Sequence, residues 1–398
     1  MFSAELHKKI ILECSRSIKK YAEYLSKKLN TINRDFIALR KKLVENNNQA
    51  VIELPIDLKI NLEQYCELFE MFLSSNNSLN DSDPAFENLL TLYFDFLSFL
   101  AVLDLYDEHF ITYALYDTSE KDVLLKLFCA DPSSSIARTC RKCRCTVFFS
   151  ATLIPSSYYK YILGGKENDL AIRLPSPFDI KNLCLLICKN ISTKYKDREN
   201  SYEVVAEYIK AATEIKTGNY FVFFPSFVYM NNVYNLIKDN EKYNMRTIIQ
   251  GNSMSEDERK AYLDSFDDNP QNTLVAFAVM GGIFSEGIDL VGEKLSGAII
   301  VGVGLPQLCF ERDVIKNVFN GINNMGYKYS YTYPGFNRVL QAAGRVIRSE
   351  TDKGFILLLD QRFLQREYLE LFPNEWRNFI KVNSPKDSIE KLTQFWKL

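Results

Sequence analysis

The sequence predicts an α/β protein, with a domain built on a parallel sheet preceded by an all-α helical domain. Three observations carry this reading. From Leu6 to Leu43 apolar residues recur at spacings of three and four. From about Leu183 onward, strand-like and helix-like stretches alternate. Finally, 47% of the 398 residues are apolar, with 28 Phe and 23 Tyr, which is ample for buried cores, and the length suits about two or three domains.

The helical part comes first. Leu6, Ile10, Cys14, Ile18, Tyr21, Leu25, Leu29, Ile32, Phe36, Leu39 and Leu43 make a narrow seam, the pattern of one long helix in a coiled coil or hairpin. Asn46-Asn47-Asn48 ends it, and Pro55 lies in the connection that follows. A second apolar helix is expected at about Leu62 to Leu73, and a third at about Ala85 to Leu105 beyond a polar loop reaching Asp83-Pro84. Residues 1 to 45 hold eleven Lys or Arg against five Asp or Glu. Such a stripe suits phosphate tracking, and it equally suits the solvated face of a long helix.

Next, Val123 to Cys129 and Thr146 to Phe149 read as strands, the second running into Ser150-Ala151-Thr152-Leu153. The alternation then runs through strands at Leu183–Cys188, Tyr220–Phe224, Met245–Ile249, Leu274–Val279, Ala298–Val303 and Phe355–Leu359. Helices are expected between them at Tyr202–Ile215, Tyr229–Ile237 and Asp257–Phe266. Ligands of such sheets sit at the carboxyl ends of the strands, so chemistry belongs in the loops that follow them. One loop runs from Met280 through Gly281-Gly282 to Ser285-Glu286-Gly287-Ile288-Asp289, with three glycines, two carboxylates and a hydroxyl. Others are Pro225-Ser226-Phe227, Gln250-Gly251-Asn252-Ser253 and Gly304-Leu305-Pro306. Each is ordinary turn chemistry when taken singly.

Near the end, Pro334 suits a helix start, and Phe336, Val339, Leu340 and Ala343 follow at helical spacing. Gln341, Arg345 and Arg348 then stand at i, i+4 and i+7, which predicts that all three project from one helix face. Two guanidinium groups beside an amide can grip a triphosphate, or can simply form a solvated basic face.

Composition narrows the class. The net charge of −2 gives no overall basic field, so any nucleic-acid contact must use local stripes. Nine cysteines and no signal peptide read as reduced thiols of a soluble cytoplasmic protein, and no apolar run of membrane-spanning length is expected. His7 and His109 are the two histidines, which argues against a His-centred triad or a His-rich metal site. Cys140, Cys143 and Cys145 form C-x-x-C-x-C, one thiolate short of a closed site with no histidine near, so no metal is expected there.

Together these residues carry a family resemblance. Ser150-Ala151-Thr152 resembles helicase motif III, Phe224-Pro225-Ser226 motif IV, and Gln250-Gly251 a motif that follows it. Gly282 through Asp289 resembles motif V, Gln341 through Arg348 motif VI, and Ser176-Pro177-Phe178-Asp179 the linker between helicase domains. The chain thus looks like the C-terminal portion of an XPD/DinG-type superfamily 2 DNA helicase. The resemblance implies two RecA-like domains, ATP and Mg2+ between them, and 5′-to-3′ movement on single-stranded DNA. It implies an arch-like helical domain at residues 1–110, the end of the first RecA-like domain with motif III at 111–172, and the second RecA-like domain at 173–398.

Carried over residue by residue, Arg345 and Arg348 would be arginine fingers and Gln341 a γ-phosphate sensor. Gly282, Glu286, Gly287 and Asp289 would line the nucleotide side. Ser150, Thr152, Ser226, Gln250, Ser253 and Ser285 would face the DNA path, where hydroxyls and amides give sequence-tolerant grip. No G-x-x-x-x-G-K-[ST] and no Asp-Glu-Ala-His occurs; Gly164-Gly165-Lys166 lacks the upstream glycine and the following hydroxyl. Both would lie upstream of Met1, as would the family's iron–sulfur cysteines, so no cluster is expected in this chain. Residues 110 to 165 would then hold strands that have lost neighbours. The expectation is a monomer, inactive alone as an ATPase, whose partners are single-stranded DNA and a missing first RecA-like domain, with no membrane. The alternative is a stand-alone, non-catalytic module that binds DNA or protein.

Overall fold

The computed structural model describes residues 3–75, 84–238, 240–243, 245–284, 290 and 292–397. The chain divides into two compact units, one of residues 1–146 with 161–166 and the other of residues 147–160 with 167–398.

The first unit holds the N-terminal helices. They are α1 (Lys8–Ile18), α2 (Glu23–Glu45), α3 (Leu58–Ser74) and α4 (Pro84–Leu103), with the short α5 (Ser133–Cys140) beyond them. On α2 the seam residues Leu25, Leu29, Ile32, Phe36, Leu39 and Leu43 are all buried, so the three-and-four spacing reads the packed face correctly. The single long helix is not formed. The amides of Tyr21 and Ala22 both turn back to the Ile18 carbonyl, at 2.9 and 2.8 Å, and α1 and α2 pack on each other as a hairpin. The seam survives because Ile18 and Ala22 stay buried on either side of the turn.

This unit is helical but not all-α. Strands β1 (Ala4–His7), β2 (Gln49–Val51), β3 (Phe110–Asp117) and β4 (Asp122–Cys129) form an antiparallel sheet in the order β1-β4-β3-β2. Leu6, read as a helix residue, pairs instead with Leu125. The β3–β4 hairpin would present two open edges, and β1 and β2 cover one each. Tyr65, Phe69, Phe96 and Phe99 fill the helical core. Within α4, Phe86–Leu103 has the length and apolarity of a membrane span, with mean hydropathy 1.5, which corrects the expectation that no run reaches that length. Its Leu89, Leu92, Phe96, Phe99 and Val102 are buried in this core, where α4 packs on α1 and α3.

Helix α6 (Ser156–Ile162) lies between this unit and the next along the chain. Thr146 to Phe149, expected as a strand, is irregular backbone and pairs with no strand among the described residues; Val147 and Phe149 are 75% and 90% exposed.

The second unit is the α/β domain. Its strands are β5 (Leu183–Cys188), β6 (Asn219–Phe224), β7 (Arg246–Ile249), β8 (Leu274–Val279), β9 (Gly297–Val301), β10 (Gly354–Leu359) and β11 (Ile380–Val382). All pair in parallel in the order β11-β5-β10-β9-β6-β8-β7. The intervening helices are α7 (Tyr202–Thr213), α8 (Phe227–Ile237), α9 (Glu256–Asp264), α10 (Phe310–Asn323), α11 (Tyr333–Ala343), α12 (Arg366–Leu369) and α13 (Pro385–Lys397). Every residue of β6 is buried, as expected for a strand covered on both faces. Phe224 meets Tyr229 and Phe277 on one side, while Phe221 stacks on Phe223, Tyr262 and Phe266 on the other. The order places β10, β9 and β6 at the centre, and the parallel pairing sends the carboxyl-end loops to one edge.

Candidate nucleotide and nucleic-acid site

The loop after β8 is pinned at its start. The Met280 amide donates to the Phe224 carbonyl at 2.8 Å, carrying the ladder one step past β6. Gln250, only 5% exposed, accepts from the Val279 amide through Oε1 at 3.0 Å. Gly281 takes φ +72°, and the Arg338 side chain lies where a Cβ on it would sit. A Cβ on Gly282 would stand 3.0 Å from the Gln250 amide nitrogen. The structure therefore brings Gln250 and Gly282 together and sets α11, through Arg338, against the same turn. Burial and the neighbouring Arg312 both depress the Arg338 pKa below its ordinary value. Ser285, Glu286, Gly287 and Asp289 lie outside the described residues.

Ser226 caps α8 by accepting from the Tyr229 amide at 3.4 Å. Ser253 is exposed in the turn after β7, just before α9 opens on a capping box between Ser255 and Glu258. Ser150 is exposed and Thr152 half-buried; the Thr152 amide donates to Ser150 Oγ at 3.2 Å. Beyond them Tyr158 meets Tyr329 edge-on at 4.6 Å and Tyr333 at 5.1 Å, so the segment after motif III docks at the start of α11. Tyr159 shares a hydrogen bond with Asn337 on the same helix.

Helix α11 follows directly on a π-helical turn at Lys328–Thr332, with Pro334 in its first turn. Its Phe336, Val339, Leu340 and Ala343 are buried, as their spacing predicts. Gly304, at φ +70°, lets the loop after β9 touch the helix: a Cβ there would collide with the Gly335 carbonyl oxygen.

The helix does not run on through the arginines. It ends at Ala343, where the Gly344 amide donates to the Leu340 carbonyl at 2.8 Å. Gln341 is in the last helical turn, Arg345 in the turn beyond it, and Arg348 in irregular backbone. The shared helix face expected at i, i+4 and i+7 is therefore replaced by three half-buried residues leaving one helix end in succession.

Asp352 holds that irregular backbone. It accepts from the Arg348 and Ser349 amides at 2.7 and 2.8 Å and from the Ser349 hydroxyl at 2.6 Å. Burial opposes its charge, but the Ser349 hydroxyl and the amides of Arg348, Ser349 and Gly292 outweigh it and hold the carboxyl below its ordinary value. At the ends of β10 and β5, buried Asp360 joins Arg362 to Thr193. Sequence reasoning missed Arg338, Asp352 and Asp360. For Asp352 a local signal existed in Ser349-Glu350-Thr351-Asp352, a Ser-x-x-Asp turn.

Among the described residues no three His, Cys, Asp or Glu side chains gather where they could hold a metal ion. Cys140 is half-buried, and Cys143 and Cys145 are exposed.

A seven-stranded parallel sheet with helices between its strands is a RecA-like fold. Residues 209–379 match the family described as the helicase C-terminal domain. The ATP-dependent DNA helicase DinG of Photobacterium profundum is 28% identical over 233 residues, covering 56% of this chain and 32% of that protein. The regulator of telomere elongation helicase 1 homolog of Caenorhabditis elegans is 25% identical over 323 residues, covering 71% of this chain and 32% of that protein. A solved apo XPD chain shares the fold with a TM-score of 0.57 and 19% identity, covering 96% of this chain and 73% of that one. These matches support the resemblance to the C-terminal portion of XPD/DinG-type superfamily 2 helicases. It spans about a third of the length of these curated relatives.

Proposed function

We propose that this chain is the finger-bearing part of an ATP-driven DNA helicase that moves 5′ to 3′ on single-stranded DNA. The observation that carries the reading is the helicase C-terminal match over residues 209–379, which contains both the Gly281–Gly282 turn and Gln341 through Arg348. In this reading the chain supplies cations and an amide for the γ-phosphate, while the phosphate cradle and the Mg2+ carboxylates come from a first RecA-like domain. Bound ATP supplies the bond whose cleavage drives movement. Arg345 and Arg348 stabilise the charge that develops on the transferred phosphoryl group, and Gln341 senses that group. Ser150, Thr152, Ser226, Ser253 and Ser285 grip the DNA backbone, and Gln250 holds the turn that aims the loop between Gly282 and Asp289.

Two exposed apolar segments support a partner domain. Val147 and Phe149, and then Leu170, Ile172 and Leu174 at strand-like alternation, are 72–90% exposed. We assign residues 1–110 to an arch-like domain, 111–172 to the end of the first RecA-like domain, and 173–398 to the second.

The test is single-stranded-DNA-stimulated ATPase activity, measured on the chain alone and after joining to a first RecA-like domain that carries a G-x-x-x-x-G-K-[ST] loop and an Asp-Glu-Ala-His box. The chain alone is inactive. The joined enzyme turns over, and Arg345→Ala and Arg348→Ala each abolish turnover while folding is kept. Near-normal ATPase in both variants removes the finger assignment. DNA binding by the chain, with no activity gained on joining, favours the stand-alone module.

A further inference from the structure

Asp352 belongs to none of the motifs, yet four donors converge on it. It is 5% exposed. Oδ2 takes the Arg348 and Ser349 amides at 2.7 and 2.8 Å; Oδ1 takes the Ser349 hydroxyl at 2.6 Å and the Gly292 amide at 3.1 Å. The Gly292 bond comes from a different part of the chain. Gly292, at φ +72°, opens the turn Gly292–Lys294 soon after Asp289, at the far end of the motif V stretch. One carboxylate therefore joins the exit of motif V to the second arginine of motif VI.

The chemistry asks for a carboxylate. Three of the four donors are main-chain amides outside regular ladders, and a buried amide without an acceptor is costly. An ionised carboxylate accepts through both oxygens, whereas asparagine has one acceptor oxygen and would turn an NH2 toward these N–H groups. Four charged side chains flanking these donors are engaged elsewhere or lie in solvent. Glu293 pairs with Lys216 at 2.8 Å and Lys294 with Asp268 at 3.6 Å; Lys353 sits over the Phe395 ring, and Glu350 is exposed.

We propose that Asp352 is a positioning residue of the nucleotide site, fixing the Arg348 backbone and the Gly292 amide to one carboxylate so that the motif V exit and the finger segment move as one body. This rests on the assignment of Arg348 to that site. A side chain leaving irregular backbone needs such a fixed anchor if its guanidinium is to hold a set position.

Amide hydrogen exchange on the full chain tests the clamp without any ATP. In Asp352→Asn, the Gly292, Arg348 and Ser349 amides lose at least about tenfold in protection while those of β9 and β10 stay within about twofold. In the unmodified chain the three protections, corrected for intrinsic rates, fall together as pH drops through the depressed carboxyl pKa; in Asp352→Asn that step is missing. A purely structural role would loosen β9 and β10 as well, and that result, or unchanged protection at Gly292, overturns the proposal. Should Asp352→Asn fail to fold, Ser349→Ala removes the hydroxyl bond to Asp352, together with the Ser349–Thr351 hydroxyl contact, and must still weaken protection at Gly292; no change there also overturns it.

In the joined enzyme, Asp352→Asn lowers kcat at least about tenfold with KM for ATP within about twofold, the pattern of an interaction realised only in the transition state. Normal kcat beside lost protection overturns the positioning role if Arg348→Ala is inactive. If Arg348→Ala is also normal, the finger assignment has failed instead.

Discussion

Asp360 and Arg362 grip each other through two parallel bonds, Nε to Oδ1 and Nη2 to Oδ2, each 2.9 Å. The carboxylate is fully buried, and its Oδ2 also accepts from the Thr193 hydroxyl at 2.5 Å and amide at 3.1 Å. Because Asp360 follows β10 and Thr193 lies beyond β5, this trio closes the carboxyl ends of two neighbouring strands.

Removing one member should cost much more than the pair adds, because the other charge stays buried. Asp360→Ala is expected to lose about 3–5 kcal/mol of unfolding free energy. Thr193→Val, which deletes one bond to the carboxylate, should lose about 1–3 kcal/mol. Urea denaturation of both variants checks the ranking; equal losses would show that the buried charge is not what matters.

The seven parallel strands include six legible in the sequence, because burial on both faces leaves long apolar runs such as Tyr220–Phe224 and Phe355–Leu359. β11 is three residues long and has no such run. In the first unit Leu6 fits a helical seam equally well, and only the distant β4 edge makes it a strand residue. The order of the site loops was readable from their strands. Their side-chain geometry was not, since the backbone beyond α11 is held by Asp352, which accepts from the Arg348 amide.

Gly304 and Gly321 make opposite predictions from the same substitution. Gly304→Ala forces a Cβ onto a residue at φ +70° and into the Gly335 carbonyl, so it should destabilise by at least about 2 kcal/mol. Gly321 lies inside α10 with nothing within 4 Å of a built Cβ, so Gly321→Ala should stabilise by about 0.5–1 kcal/mol. Chemical denaturation of the pair is decisive, and a stabilised Gly304→Ala would refute the close approach.

Thiol labelling should follow burial. Burial, with acidic neighbours in two cases, pushes the Cys14, Cys66 and Cys184 thiols up to about 12, so these stay protonated and inert throughout the neutral range. Cys143, Cys145 and Cys309 are exposed and should react with a thiol reagent at pH 8 in the folded chain. The deeper three should react at that pH only after denaturation. Mass spectrometry of labelled peptides gives the order, and prompt labelling of Cys66 would contradict the packing of α3.

The exposed apolar segments give the last expectation. Phe149 is 90% exposed, and Ile172 is 72% exposed within an alternating Leu-x-Ile-x-Leu run. Solvent-facing apolar runs of this kind favour association with whatever apolar surface is at hand. Alone, the chain should therefore self-associate as concentration rises, and Phe149→Ser with Ile172→Ser should reduce that association in light scattering. The same double variant should fold normally, because neither side chain belongs to a buried core. If the segments are covered by a first RecA-like domain, it should also weaken joining to that domain and lower DNA-stimulated ATPase activity of the mixed components. Reduced self-association with full activity on mixing would show that these residues are exposed surface and no part of a domain contact.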